Sequence, residues 1–372
     1  MKTRITRLST SRTIAWLLCM LLSLPAIAAE VVDLRDRKVQ VPDTIQKISI
    51  DDGRYLVALA LLHADPVRPL AAWSGDTNRI GEETYARYVA KFPALKTLPL
   101  VASSAGSFNV EQVLSAAPDV AVVSLGSGPS DAQVAQLQAA GIPVVFIDFF
   151  TNPFRNQEAS LRLLGDLTGA RERADAFIAF RREHLQRITQ GVAGLSETDR
   201  PSVFVEAHAG VTTDCCNSPG KGNMGDYVEL VGGHNIGADV LKGPFGKINL
   251  EYVISRDPKI YIATGGPHLE RSGGLVLGVG YDAQRAQAAL RKIASRQGIA
   301  ELGAVKSGNT HGIAHQLLNS PIDIVAIEAF AKWIHPERFA DVDPAKTLDE
   351  INRRFLSVPY DGTGWIDLEP IP

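Results

Sequence analysis

The sequence predicts an α/β protein of two lobes, each with a mostly parallel central sheet flanked by helices, joined by a long bridging α-helix. Three observations carry this expectation: a helix–strand unit that occurs twice, short β-branched runs alternating with helical periodicity, and a strand-free stretch between them. The repeated unit is Phe108-Asn109-Val110-Glu111-Gln112-Val113-Leu114, running through Pro118-Asp119 into the apolar run Val120–Ser124. Its second copy is Ile248-Asn249-Leu250-Glu251-Tyr252-Val253-Ile254, then Pro258-Lys259 and Ile260–Thr264. An Asn before an amphipathic turn is a good helix cap, because its side-chain oxygen accepts orphan backbone N–H groups. The proline stops the helix, and the apolar run after it suits a buried parallel strand. A carboxylate in a helix's first turn is favoured by the macrodipole by about 0.3–1 kcal/mol. That accounts for one glutamate; the same glutamate in both copies points to a matched pair of exposed charges, one per lobe, presented to a two-fold partner.

The chain begins with Lys2, Arg4, Arg7 and Arg12, an apolar run from Ile14 to Leu24, and Ala26-Ile27-Ala28. A basic flank, a short apolar core and a small-residue exit read as a secretory signal peptide, too short for a membrane span, with cleavage expected near Ala28. Bulky Leu18 precedes Cys19 where a lipid-anchoring pattern has a small residue, so a soluble exported protein is expected. The remaining chain is long enough for two domains, and 45% apolar with 21% charged residues is a globular composition. A net charge of −3 gives no electrostatic footprint for nucleic acid. Beyond the leader only Cys215 and Cys216 occur, so no disulfide framework is expected. Adjacent cysteines form a vicinal disulfide in an oxidising compartment, stay as thiols, or grip a soft metal with two sulfurs.

In the first lobe, Lys47–Ile50 reads as a strand followed by Asp51-Asp52-Gly53 and a helix from Tyr55 to Leu62. Leu70–Trp73 reads as a second strand, Asp131–Ala140 as a helix and Val144–Asp148 as another strand. Ligands of parallel sheets gather at the carboxyl ends of the strands. Those ends carry Arg54, Trp73, Ser103, Ser127 and Phe150, small, polar and aromatic residues that make a binding rim. From Asn152 to about Gln190 there is no strand signal: one helix runs to Leu167, and a second carries Ala174, Phe177, Ile178, Arg181, Leu185 and Ile188 on one face. A helix of about 20 residues reaches roughly 30 Å, enough to cross the waist of a two-lobed molecule. The second lobe opens with the strand Ser202–Glu206, the loop from His208 through Cys215-Cys216, and a helix over Met224–Val231 containing Tyr227. The second repeat copy, His268 at its strand end, His311, His315 and Gln316, and a last helix from Ile322 to Ile334 follow. The expected organisation is a leader over 1–28, an N-terminal lobe over 29–152, a bridging helical segment over 153–192 and a C-terminal lobe over 193–372.

With these features together the chain resembles the helix-bridged (class III) periplasmic binding proteins of ABC importers for ferric siderophores, haem and cobalamin. Asn109-Val110-Glu111 with Pro118-Asp119-Val120 is similar to the family's N-L-E … P-D-L-V signature. Leu164–Gly169 is similar to the L-G-x-L-T-G before its bridging helix, Val231–Asn235 to its x-G-G-x-N element, and Ala331–Pro336 to its terminal A-K-x-x-H-P helix. The resemblance covers essentially the whole mature chain. It implies a monomeric periplasmic protein without catalysis or resident cofactor, which closes slightly on a small-molecule iron chelate and docks on an ABC permease dimer in the inner membrane. Glu111 and Glu251 match the glutamates that meet arginines of the two permease subunits. An exposed ion pair contributes only about 0–1 kcal/mol, so its value lies in orientation and encounter rate.

The ligand expected on this resemblance is a ferric chelate, most simply a ferric siderophore, with haem, cobalamin or an oxyanion as alternatives. Relatives that take hydroxamates carry an arginine before the first repeat motif and a tyrosine after its strand; Ser103-Ser104 and Ser127 hold those places here. A haem tyrosine would come from Tyr55, Tyr85 or Tyr88, all in helical patterns, and bare-metal binding is disfavoured because the N-terminal lobe has only His63. Arg54, Arg155 and His208 are candidates for neutralising an anionic chelate, and Trp73, Phe150 and Tyr227 for packing its organic part. Ser103, Ser127, Cys215, Cys216, His268 and Gln316 complete the candidate cleft, and no residue is expected to be catalytic or a dedicated metal ligand. An exported hydrolase using His208, Asp214 and a cysteine lacks any G-x-S-x-G elbow or metal-hydrolase motif. A ligand-sensing module would share the fold without needing both glutamates.

Overall fold

Both predicted sheets are present in the computed structural model, which describes residues 29–101, 107–318 and 320–368. The leader with Cys19, and Ser103-Ser104, lie outside the described residues. The N-terminal lobe holds four parallel strands in the order Leu70–Ala72, Ile48–Ile50, Val120–Ser124 and Val144–Ile147. The C-terminal lobe orders His234–Asn235, Ser202–Glu206, Ile260–Gly265 and Thr310–Ala314 in the same way, all parallel, and adds the antiparallel edge strand Trp365–Asp367. In each lobe the first strand is central, with the second on one side and the third and fourth on the other. The repeat is thus a repeat of topology as well as of motif. Every residue of Val120–Ser124 and Ile260–Gly265 is buried, which is why their sequences are unbroken apolar runs rather than alternating ones.

The helices that feed those two strands are Val110–Ala116 and Leu250–Arg256. Asn109 Oδ1 accepts the Gln112 N–H at 3.1 Å and Asn249 Oδ1 accepts the Glu251 N–H at 2.8 Å, so both asparagines cap as expected. Each helix stops at a left-handed residue, Ala117 (φ 46°) and Asp257 (φ 39°), just before a buried proline. A helix leading into a parallel strand runs opposite to it, so both helix starts sit at the edge where the strands end.

Between the sheets run Pro153–Leu167 and Arg171–Val192, the second of 22 residues and roughly 33 Å long. Its apolar face is the expected one, with Leu185 half-buried at its margin and Phe180 added to it. Arg181 is the charged residue on that face, and its guanidinium lies bidentate on Asp323 at 2.8 Å for both contacts, with side chains 1% and 0% exposed. Gln157 and the Tyr227 hydroxyl also donate to Asp323, so one carboxylate ties the two long helices to the C-terminal lobe.

Several elements lie outside those expected: the hairpin Ala29–Val32 with Lys38–Val41, the helices Glu82–Lys91, Ala283–Ala294 and Pro344–Arg354, and the strand Thr310–Ala314. That strand is fully buried, but His311-Gly312 interrupts its β-branched run and hides it. The last expected helix begins at Ile324 rather than Ile322, after the Asp323 hub. No helix among the described residues is long and apolar enough to cross a membrane.

Candidate functional site

The carboxyl ends of the first and third strands of each lobe, where strand order reverses, are where a parallel sheet opens a crevice. In the N-terminal lobe the first strand ends in Asp51-Asp52-Gly53-Arg54. Asp51 is buried and accepts the Ser124 N–H through both oxygens, at 2.9 and 3.0 Å. Burial pushes its carboxyl well above the usual range despite those bonds, and the neighbouring Asp52 charge adds to the shift. Asp52 goes the other way: burial opposes its ionisation, but the charges of Arg54 and Arg79 outweigh that and hold it low. Arg54 donates to Asp52 from Nε at 2.9 Å and from a terminal nitrogen at 2.5 Å. Arg79 pairs with the same carboxylate, with Asp76 at 2.8 Å, and donates to Ser127 Oγ at 3.2 Å. Gly128 follows because a Cβ there would lie 2.3 Å from the Ser124 carbonyl and 3.0 Å from Asp51.

The fourth strand contributes Phe150. Asp148 accepts the N–H groups of Phe150, Thr151 and Asn152 at 2.9, 2.7 and 2.9 Å, a loop knot that holds the ring in place. The Arg54 guanidinium covers that ring at 4.5 Å. Asn223 of the C-terminal lobe donates to the Phe150 carbonyl, so the lobes touch here.

The C-terminal lobe supplies histidines instead. His208, His268 and His315 follow the first, third and fourth strands and meet one another. His208 Nδ1 and His268 Nε2 are 2.8 Å apart, the His208 and His315 rings lie 4.0 Å apart, and His315 Nδ1 is 3.1 Å from Thr264 Oγ1. Burial pushes the His208 imidazole down to about 4, helped by the nearby His268, and burial lowers His268 too. His315 is lowered furthest, by burial, by the other two rings and by the positive charge of Arg54 in the opposite lobe. Arg54 therefore lies near enough for its charge to reach His315. All three rings are neutral near neutral pH, leaving lone pairs and N–H groups for a ligand. Gln316 packs beside His268 at Gly266, with its Oε1 buried and unpartnered among the described residues. Among the described residues no three His, Cys, Asp or Glu side chains are arranged to hold a metal ion by themselves.

Of the expected site residues, Arg54, Ser127 and Phe150 are linked at the strand ends of the N-terminal lobe and His208, His268 and Gln316 at those of the C-terminal lobe, whereas Ser103 lies outside the described residues. Two expectations are corrected. Trp73 is 1% exposed and stacked beneath Tyr85 at 5.6 Å, so it offers no surface to a ligand. Tyr227 is 0% exposed, packed edge-on to Phe154 with its hydroxyl on Asp323. Of the alternatives for Cys215 and Cys216 the structure shows the vicinal disulfide; Cys215 is half-buried, and Cys216 is buried in the core, its carbonyl accepting the Ile248 N–H at 3.0 Å, which removes Cys216 from the ligand candidates. Arg155 is exposed on the helix Pro153–Leu167, and no described contact joins it to Arg54 or Arg79. Asp52, Arg79 and His315 were missed as site residues. The acidic pair beside Arg54 was a usable signal, but Arg79 sits in a one-turn helix, Thr77–Ile80, without periodicity.

A family model described as "Periplasmic binding protein" matches residues 59–315, more than half of the chain. An uncharacterized ABC transporter substrate-binding lipoprotein of Bacillus subtilis, YvrC, is 23% identical over 323 residues, 83% of this chain and 92% of its own. The molybdate-binding protein MolA of Haemophilus influenzae is 23% identical over 371 residues, 92% of this chain and 95% of its own. Among solved structures, the TroA-like periplasmic binding protein FepB of Veillonella parvula superposes with a TM-score of 0.83 at 24% identity, covering 91% of this chain and 99% of that one. These relatives are binding proteins rather than enzymes, and their fold is the two-lobed one described above. The chain belongs to the periplasmic binding protein family.

Proposed function

We propose that this protein captures an anionic iron chelate, most simply a ferric siderophore, in the cleft between Arg54 and Arg79 on one side and His208, His268 and His315 on the other. In this reading it then delivers the chelate to a permease dimer through Glu111 and Glu251. The observation that supports it is the chemistry gathered at the strand ends of the two lobes: Arg54 lies over Phe150, whose carbonyl accepts from Asn223 of the other lobe, and His208, His268 and His315 meet at the strand ends of that lobe. Guanidinium forks suit the carboxylate or catecholate oxygens of a chelator, and neutral imidazole suits a first-row metal with an open position. The chelator brings most of the metal's ligands; the protein adds the remainder and balances charge.

A second reading, an oxyanion, is favoured by the molybdate-binding relative that aligns along nearly the whole chain. Arginine and imidazole N–H donors suit that cargo as well. Tryptophan fluorescence of the mature protein, titrated with ferric siderophores, their iron-free forms, haem, cobalamin and molybdate, separates the two. Saturable quenching by a ferric chelate and not by its iron-free form is expected. Silence toward every iron complex with saturable binding of molybdate would replace the chelate by the oxyanion.

A further inference from the structure

The two repeat helices expose more than their glutamates. Among the described residues seven large hydrophobic side chains are exposed, and single ones are ordinary on a protein surface. Two of the seven are not independent. Leu114, 37% exposed, and Ile254, 43% exposed, occupy the same position in the two copies, three residues after Glu111 and Glu251. Residues three apart share a helix face, so in each lobe a carboxylate and an aliphatic side chain stand side by side.

The rest of the repeat divides the same way. Val113 and Val253 are both 0% exposed and anchor their helices inward, while Ser115 and Ser255 are both exposed. Where the copies differ, the C-terminal residues serve their own lobe: the Tyr252 hydroxyl donates to the Ile236 carbonyl and Arg256 pairs with Asp239. Beyond the capping asparagines and the anchoring valines, the matched Glu111/Glu251 and Leu114/Ile254 face outward, whereas the unmatched Tyr252 and Arg256 are engaged at home. A surface matched in two lobes fits a partner that is itself two-fold.

We propose that Leu114 and Ile254 are a second, apolar pair of permease contacts, so that each half of the permease dimer meets a carboxylate and an aliphatic side chain together. This rests on the docking reading of Glu111 and Glu251 above. The two kinds of contact have different work to do. Exposed ion pairs orient and speed the encounter but add little net affinity, whereas desolvated apolar contacts hold a complex once formed.

The test places a photoreactive benzoylphenylalanine at position 112, 114, 254 or, as a control outside the repeat, 32, in the full-length chain expressed in its own host, and identifies the cross-linked proteins. Adducts with an ABC permease membrane subunit from 112, 114 and 254 but not from 32 are expected. A permease adduct from 112 alone would overturn the apolar pair and leave the docking reading standing; no permease adduct from any position would remove both. The permease so identified, in lipid nanodiscs, then binds Leu114→Ser/Ile254→Ser about tenfold more weakly than the parent, at low and high salt alike. The loss in Glu111→Ala/Glu251→Ala shrinks as salt rises. An unchanged urea midpoint shows that the serine variant is folded, and unchanged permease affinity in that variant would overturn the proposal.

Discussion

At the outer rim the two lobes are near copies, with Asn109 and Asn249 capping, Glu111 and Glu251 in the first turn, Val113 and Val253 buried, and Leu114 and Ile254 exposed. At the strand ends facing the cleft they have nothing in common. Where the N-terminal lobe places Asp52 and Arg54 after its first strand, the C-terminal lobe places His208; Ser127 after the third strand corresponds to His268, and Phe150 after the fourth to His315. The same topology thus carries two surfaces under opposite constraints. A two-fold partner requires the rim to stay duplicated, whereas a small ligand lacking two-fold symmetry is held best by walls that differ.

The junction between the lobes should be the most sensitive point. Asp323 is wholly buried and receives Arg181, Gln157 and Tyr227, so Asp323→Ala leaves a guanidinium buried without its carboxylate. A loss of about 3–5 kcal/mol is expected in urea unfolding. Replacing Arg181 and Asp323 together by methionine and leucine should be far milder, because no charge is left unpaired. If the single variant were as stable as the parent, the lobes would not depend on this pair for their union.

Within the cleft, the comparison predicts that neither wall substitutes for the other. Arg54→Ala and His315→Ala should each weaken binding of the ligand found by fluorescence by about 10–100-fold, without changing permease association of whatever loaded protein remains. Arg54→Lys should not restore affinity, since a point charge cannot reproduce the fork that rests on Asp52 and over Phe150. Full affinity in His315→Ala would confine the ligand to the N-terminal wall.

The rim was more legible in the sequence than the cleft, for a physical reason. A cap, a buried valine and a proline stop lie within ten residues of chain and leave a local pattern, and the bridging helix shows its apolar face by spacing alone. Cleft chemistry depends on pairing at a distance. Position next to a strand end says that Trp73 and Arg54 are near the crevice, but not that Trp73 turns beneath Tyr85 while Arg54 turns out over Phe150. Asp52 needs Arg79, in another helix, to become an anchor. His315 follows a strand whose His-Gly interruption removed the β-branched signal.

Acid should separate the two surfaces more gently. His208 is held near 4 in the folded protein against an ordinary value of 6.5, so the unfolded chain takes up the proton first. The stability this contributes is fully present above pH 6.5 and is lost as pH falls from there through about 4. His268 and His315 shift in the same direction and add to the effect. The urea midpoint should therefore drop between about pH 7 and pH 4, and His208→Asn should flatten that slope. An unchanged slope in the variant would mean that the cluster is not kept neutral by folding.

The smallest effect on stability decides the most about the rim. If Glu111 and Glu251 serve only their own helices, Glu111→Gln or Glu251→Gln should cost about 0.3–1 kcal/mol in thermal unfolding and leave uptake intact, since each helix keeps its asparagine cap. If they dock, that small cost is unchanged but uptake of the ligand falls steeply in the double variant while its affinity for the ligand holds. A helix dipole acts on one lobe at a time, so its loss is additive and indifferent to the other copy. Docking on a two-fold partner needs both ends seated together, so either single variant should already lose most of the uptake that the pair loses. The relation between the single and double variants, rather than the size of any one of them, tells whether the duplication is kept for the lobes or for what they meet.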